Sequence, residues 1–333
     1  MNYPELAPMK IFAYQPSFDR VEDRLREVSA DITPVLIQAD GSVQTAGKPT
    51  EADDVLFDVA WASSELFLHG PVRDAFRFLQ NAKQLKWFQS GAAGFDAPVF
   101  GRIASKGTIM TRSDAQGISI AEFVLARVLE VVRMTNECRD LQAQNKWQRL
   151  HFGDMWGKTW LIIGMGAIGN ATAKRAKAFE TNVIGVRRNP TGKETVDKMI
   201  GPDEVPNYLP QADVVVLTTP LNEETHHMVN ADFLAKMKPG SIFVNVGRGG
   251  LVDESALLAS LPANRPSTAI LDVFETEPLP ADSPLWQNEQ ILITSHCSAE
   301  SDANWDRGDA LFVENFGHYA RGETMRLVVE GLG

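Results

Sequence analysis

Three glycines at fixed spacing carry the first chemical signal in this chain. In the run Trp160-Leu161-Ile162-Ile163-Gly164-Met165-Gly166-Ala167-Ile168-Gly169 they form G-x-G-x-x-G, directly after four apolar residues and at the head of a segment rich in Ala and Lys. That context predicts a strand, a tight turn and a helix. Gly164 permits the turn, Gly166 lets backbone approach a pyrophosphate, and Gly169 allows close helix–strand packing. The unsatisfied N–H groups and positive dipole end of the helix suit the phosphates of a dinucleotide. Met165, Ala167 and Ile168 complete this cofactor turn. The next strand ends in Arg187 and Arg188. An acid at that place would accept from the ribose hydroxyls of NAD, whereas two guanidinium groups suit a 2′-phosphate through bidentate, charge-assisted hydrogen bonds. The expected cofactor is therefore NADP(H) in preference to NAD(H); a solvated basic strand end is the alternative. No metal is expected, because the histidines show no H-x-x-x-H or HExxH spacing. Cys138 and Cys297 lie far apart and read as two reduced thiols.

The elements that must hold this turn extend well beyond it. A chain of 333 residues, 44% hydrophobic and 23% charged, is long enough for two domains with real cores. The first part alternates strand candidates (10–14, 34–38, 55–61, 85–89 and 108–111) with helical spacing over 18–28 and 71–81. From Gly117 to about Trp147 there is no proline, and apolar residues at helical intervals predict one long, largely buried helix bridging two domains. A more regular series follows, with strands at 158–163, 182–186, 212–218, 241–246, 268–273 and 291–294. Helical segments at 167–179, 203–209, 231–237 and 253–261 lie between the first five. Near-continuous runs such as WLII and VVVL suit strands covered on both faces, and such a series predicts a parallel, doubly wound α/β sheet. One helix, about 302–320, closes the chain without a sheet of its own to cover. The expected organisation is a dinucleotide-binding Rossmann domain, 112–298, inserted into a smaller, discontinuous α/β domain formed by 1–111 and 299–333.

Four further motifs, together with KTWLIIGMGAIG, carry a resemblance. They are SGAAGFD at Ser90–Asp96, NVGRGGLVDE at Asn245–Glu254, LDVFETEPLP at Leu271–Pro280 and TSHCSAES at Thr294–Ser301. In order and spacing they resemble the D-isomer-specific 2-hydroxyacid dehydrogenases, of the glyoxylate/hydroxypyruvate reductase kind, over nearly the whole chain. The resemblance implies a flavodoxin-like substrate domain and a catalytic set of Arg248, Glu277 and His296. Chemistry agrees with these assignments. A 2-keto acid needs a cation for its carboxylate, a donor to its carbonyl oxygen and a proton source as hydride arrives. Arg248 follows a strand's C-terminal end, where open α/β sheets bind ligands, and its planar fork can hold the carboxylate. His296 can give and take the proton, and Glu277 can fix the ring. The resemblance also puts Val246, Gly247, Thr219, Pro220 and Asp272 beside the cofactor, although Pro220 also reads as a plain strand-ending proline and Asp272 as a buried turn or cap residue. The N–H groups of Ala93 and Gly94 are candidates for a small nest holding the substrate carboxylate, with a ligand-free tight turn as the alternative. Trp61 is either a pocket wall or core.

Some residues depart from the pattern. Ser295 stands where relatives commonly have proline, and the short stretch after the last helix leads us to expect no regulatory domain of the kind many phosphoglycerate dehydrogenases carry. Related formate dehydrogenases have a glutamine where Glu277 stands, so that activity is not expected. The expected function is NAD(P)H-dependent reduction of a 2-keto acid to the D-2-hydroxy acid, between two domains that close on substrate. The alternative is a dinucleotide-sensing binding protein like the C-terminal-binding-protein corepressors. The resemblance implies a homodimer through the inserted domain, with the helix from Gly117 as an interface element. A net charge of −11 and a pI near 5.1 argue against nucleic-acid binding. Without an apolar run of membrane length or a basic, apolar leader in residues 1–9, the expected protein is soluble and cytoplasmic.

Overall fold

The computed structural model describes residues 9–50, 57–95 and 97–330, and of Asp302 the backbone only. Val55 and Leu56 of the expected third strand, and Asp96 of the SGAAGFD motif, lie outside them. The chain divides into two compact units. One ends at Gln116 and resumes at Ser301; the other is Gly117–Glu300.

The first unit holds seven strands: β1 (Met9–Tyr14), β2 (Ile32–Ile37), β3 (Val43–Thr45), β4 (Lys48–Pro49), β5 (Val59–Ala62), β6 (Trp87–Ser90) and β7 (Ile109–Thr111). They lie in the order β4-β3-β2-β1-β5-β6-β7. The five parallel strands β2-β1-β5-β6-β7 have the flavodoxin-like order. Lys48 and Pro49 end the sheet on the antiparallel side, and a proline is tolerated at such an edge. Helices α1 (Gln15–Asp19), α2 (Glu22–Val28), α3 (Ser64–His69), α4 (Val72–Asn81) and α5 (Pro98–Ala104) connect the strands. The expected single helix over 18–28 is thus two short ones. One face of the sheet packs Phe12, Phe76, Phe78 and Phe88, and the other packs Trp61, Trp87, Phe312 and Phe316. The last two come from the closing helix, Asp302–Ala320. That helix covers this sheet.

The second unit contains β8 (Thr159–Ile163), β9 (Asn182–Val186), β10 (Lys198–Ile200), β11 (Val214–Leu217), β12 (Ile242–Asn245), β13 (Thr268–Leu271) and β14 (Ile291–Ile293). All pairs are parallel, in the order β10-β9-β8-β11-β12-β13-β14. This is the doubly wound order, with its switch point between β8 and β11. β10 was not expected, since Lys198-Met199-Ile200 is too short and too polar at its start to signal a strand. Val214, Val215, Val216 and Leu217 are all buried, as a strand covered on both faces requires.

The expected helix from Gly117 to Trp147 is instead two. α6 (Gly117–Val132) is apolar and packs into the core, whereas α7 (Thr135–Ala143) has no buried residue. Between them Met134 turns left-handed, at φ 49° and ψ 47°. The apolar stripe ends at Val132, and the returning chain caps that helix's end: Gly153 N–H donates to Val132 O (3.1 Å). The remaining helices are α8 (Ala167–Lys177), the single turn α9 (Val205–Tyr208), α10 (Ala231–Lys236) and α11 (Glu254–Ser260), with the Asp302–Ala320 helix as α12. Asn230 and Asp253 side chains cap α10 and α11 by accepting from Phe233 N and Ala256 N. Among the described residues, no helix is long and apolar enough to cross a membrane, and no group of His, Cys, Asp and Glu could hold a metal ion.

Candidate active site

The glycine turn joins β8 to α8 at the switch point. Gly164 has φ +110°, and a Cβ there would sit 2.6 Å from Thr219 N, in the loop after β11. A Cβ on Gly169 would lie 2.1 Å from Gly164 O, so helix and turn meet through bare backbone. At Gly166, the N-cap of α8, a Cβ would meet nothing within 4 Å. One glycine is thus needed for backbone angle, one for packing, and the third leaves an open face. Open space over a helix N-terminus fits a dinucleotide pyrophosphate. Met165 is buried and packs under Gly185, so its side chain is core. Ala167 is exposed and Ile168 is half-buried.

Arg187 folds back along the turn. Its Nη1 donates to Met165 O (2.8 Å) and to Glu194 Oε1 (3.1 Å). The Thr191 N–H and hydroxyl also donate to Glu194, holding its carboxyl down at about 2. Arg188 pairs with Glu224 on the loop after β11. The Arg187 guanidinium therefore stands beside the glycine turn, and each of the two arginines has a carboxylate partner.

The loops after β12, β13 and β14 bring up the other candidates. Asn245 shapes the first: its Nδ2 donates to Arg248 O (2.9 Å) and its Oδ1 accepts from Gly247 N (3.1 Å). Arg248 is partly exposed and its Nη1 donates to Gly247 O (2.8 Å). Val246 is buried, and a Cβ on Gly247 would lie 3.1 Å from Thr219 O, which ties this loop to the one after β11. Pro220 is exposed; its carbonyl accepts from the Thr225 hydroxyl (2.8 Å).

His296 and Glu277 meet directly, with His296 Nδ1 2.8 Å from Glu277 Oε2. The other carboxylate oxygen, Oε1, accepts from Phe274 N (3.0 Å), so the glutamate is fixed from behind. His296 takes a left-handed backbone, φ +51°, uncommon for a side-chain-bearing residue. Asp272 accounts for its persistence. Buried at 1% exposure, it accepts from the Thr294 hydroxyl (2.6 Å), Cys297 N (3.0 Å) and Ser298 N (3.1 Å), and its carbonyl accepts from His296 N (2.8 Å). Every bond that this side chain makes within the protein shapes the loop carrying His296. Cys297 beside it is a free, exposed thiol, as is Cys138.

In the first unit, Ala93 N–H is engaged by a side chain. The Gln116 amide, oriented to donate to Gly91 O (3.2 Å), accepts from Ala93 N (2.9 Å). Gly94 adjoins it and is partly exposed. Trp61 is buried and stacks on Phe312 with ring centroids 4.3 Å apart, the core role. Gln116 and the contact of His227 with Glu275 had no signal in the sequence, because each depends on a partner distant along the chain.

A doubly wound sheet with a glycine turn at its switch point is a dinucleotide-binding α/β architecture, and comparison with known proteins narrows the class. The model of the D-isomer specific 2-hydroxyacid dehydrogenase NAD binding domain matches residues 125–298. The D-3-phosphoglycerate dehydrogenase of Methanocaldococcus jannaschii is 32% identical over 257 residues, 75% of this chain and 48% of its own length. This chain thus spans about half of that relative. The glyoxylate/hydroxypyruvate reductase B of Yersinia pestis is 34% identical over 72% of this chain and 75% of its own. A D-isomer specific 2-hydroxyacid dehydrogenase from Xanthobacter autotrophicus Py2, solved in complex with NADPH and MES, superposes with a TM-score of 0.77 at 28% identity, covering 98% of both chains. The chain belongs to the D-isomer specific 2-hydroxyacid dehydrogenase family, whose members are NAD(P)-dependent oxidoreductases.

Proposed function

We propose that this protein reduces a short 2-keto acid, of the glyoxylate or hydroxypyruvate type, to the D-2-hydroxy acid, with NADPH preferred. The observation that carries the reading is the 2.8 Å contact of His296 with Glu277, on loops at the same sheet end as the glycine turn and Arg248. Bound NADPH supplies the hydride that adds to the carbonyl carbon. Arg248 holds the substrate carboxylate and polarises the carbonyl oxygen. With Nδ1 directed at Glu277, His296 has Nε2 to deliver a proton to the oxygen as the alkoxide forms. The balance is one hydride and one proton added across C=O. Asp272 acts behind His296 by shaping its loop; with the Ala93 N–H taken by the Gln116 amide, Gly94 is left as the candidate anion donor of the expected nest.

Preference for NADPH rests on Arg187 and Arg188 at the place an acid would take in an NAD site. The relatives named above include a glyoxylate/hydroxypyruvate reductase and a structure holding NADPH, which favours the same choice. We also propose a homodimer formed through α6, α7 and the segment after them, where Trp147 is 99% and Trp156 72% exposed. The deciding experiment follows NADPH and NADH consumption with glyoxylate, hydroxypyruvate and phenylpyruvate. Turnover of the two short acids, faster with NADPH, is expected. Tight NADPH binding with no turnover of any keto acid would instead favour a dinucleotide-sensing role.

A further inference from the structure

His227 lies outside the residues assigned to chemistry, yet it touches both segments that carry them. Its backbone is left-handed, φ +49°, a conformation that a side-chain-bearing residue keeps only when its surroundings hold it there. Three contacts do so. Its N–H donates to Gly250 O (2.8 Å), its Nε2 lies 2.9 Å from Glu275 Oε1, and its ring stacks on His226 with centroids 4.0 Å apart. Gly250 is two residues after Arg248, and Glu275 is two residues before Glu277. Glu275 is itself tied to the first segment. Glu254 N donates to Glu275 Oε1 (3.3 Å) and Glu275 N donates to Glu254 Oε1 (2.8 Å). Between them the two backbones touch at Gly249, where a Cβ would lie 1.9 Å from Phe274 O.

We propose that His227 and Glu275 form a clasp that sets the position of Arg248 against the Glu277–His296 pair, and thereby the affinity for the keto acid. Both are positioning residues, and the proposal rests on the reading of Arg248 as the holder of the substrate carboxylate. A bidentate contact tolerates little displacement, so an anchor two residues away on each side controls it. The His227 side chain is 38% exposed and contributes nothing to the hydrophobic cores, so its loss need not unfold the chain.

The clasp is tested with His227→Asn, His227→Gln and Arg248→Ala in the full chain. Asparagine accepts left-handed backbone but is too short to reach Glu275, whereas glutamine places its amide near the histidine's Nε2. Glyoxylate KM and kcat are measured, with the Kd of the keto-acid analogue oxamate for the NADPH-bound protein and the Kd of NADPH alone. In His227→Asn, KM and the oxamate Kd should rise about tenfold, the loss of a charged hydrogen bond, with NADPH affinity unchanged. His227→Gln should recover most of that loss. An oxamate Kd within about twofold of the parent in His227→Asn, while Arg248→Ala raises it, overturns the clasp alone. A parallel loss of NADPH affinity also overturns it, because the defect is then general. If Arg248→Ala leaves the oxamate Kd unchanged, the reading of Arg248 fails and the clasp fails with it.

Discussion

At the scale of single residues, two carboxylates have opposite consequences for activity. Glu277 is held by Phe274 N on one oxygen and meets His296 on the other, so it fixes which ring nitrogen faces away. On the proposed mechanism, Glu277→Gln keeps the shape but removes the charge that would steady the histidine through proton transfer. We expect kcat to fall by roughly 10²-fold, with NADPH binding retained. A kcat within a few fold of the parent would take Glu277 out of the mechanism. Glu224 works the other way, since its pairing with Arg188 competes with any phosphate for the same guanidinium. Exposed pairs of this kind are worth less than about 1 kcal/mol, so Glu224→Gln should tighten NADPH binding by roughly two- to fivefold and leave NADH nearly unchanged. Fluorescence titration with both cofactors reads the difference. Equal effects on the two would show that Arg188 does not read the 2′-phosphate.

At the scale of elements, the loops after β12 and β13 are joined by the absence of a side chain. A Cβ at Gly249 would lie 1.9 Å from Phe274 C and O and 2.4 Å from Glu275 N, all backbone atoms that no rotamer change can move. Gly249→Ala must therefore push the Arg248 loop from the Glu277 loop. The expected outcome is an activity loss above about tenfold and a destabilisation of roughly 1–3 kcal/mol, the range for backbone overpacking. Denaturant unfolding and steady-state kinetics measure the two effects, and normal values for both would refute the close approach. This element level also shows where sequence reasoning reached and where it stopped. Gly164, Gly166 and Gly169 were legible because a turn, an open face and a close packing contact impose three local requirements at fixed spacing. Strands such as β11 were legible from their unbroken apolar runs. The break at Met134 was not, because no glycine or proline marks it and only the polar surface of α7 betrays the end of burial. Nor could the short edge strands β4 and β10 be seen, having little apolar content to repeat. His227 and Gly249 escaped because their roles are defined by partners that only the fold brings near.

At the scale of the whole molecule, charge and exposed aromatic surface govern behaviour in solution. If the homodimer forms through the segment after α7, Trp147→Ser should shift the mass measured by light scattering from two chains to one; an unchanged mass would move the interface elsewhere. The net charge of −11 comes from 43 acids against 32 basic residues, and several acids are held ionised by the fold. Glu194 has its carboxyl lowered to about 2 from a usual 4.5 by the Thr191 backbone and hydroxyl, and hydrogen bonding lowers Asp197 and Asp253 as well. Burial moves Asp309 and Glu254 upward, the opposite sense. A depressed carboxyl contributes stability that is present above its unfolded value and is lost as pH falls toward its folded one. For Glu194 that window runs from about 4.5 down to about 2. The thermal midpoint should therefore hold steady above the window and decline through it. In Glu194→Gln the plateau should sit lower and the acid decline should be shallower, because that linked proton uptake is gone. The opposite pattern, an unchanged plateau with an equally steep decline, would show that the loop after Arg187 does not depend on this carboxylate. It would also weaken the placement of Arg187, which the same oxygen holds beside the glycine turn.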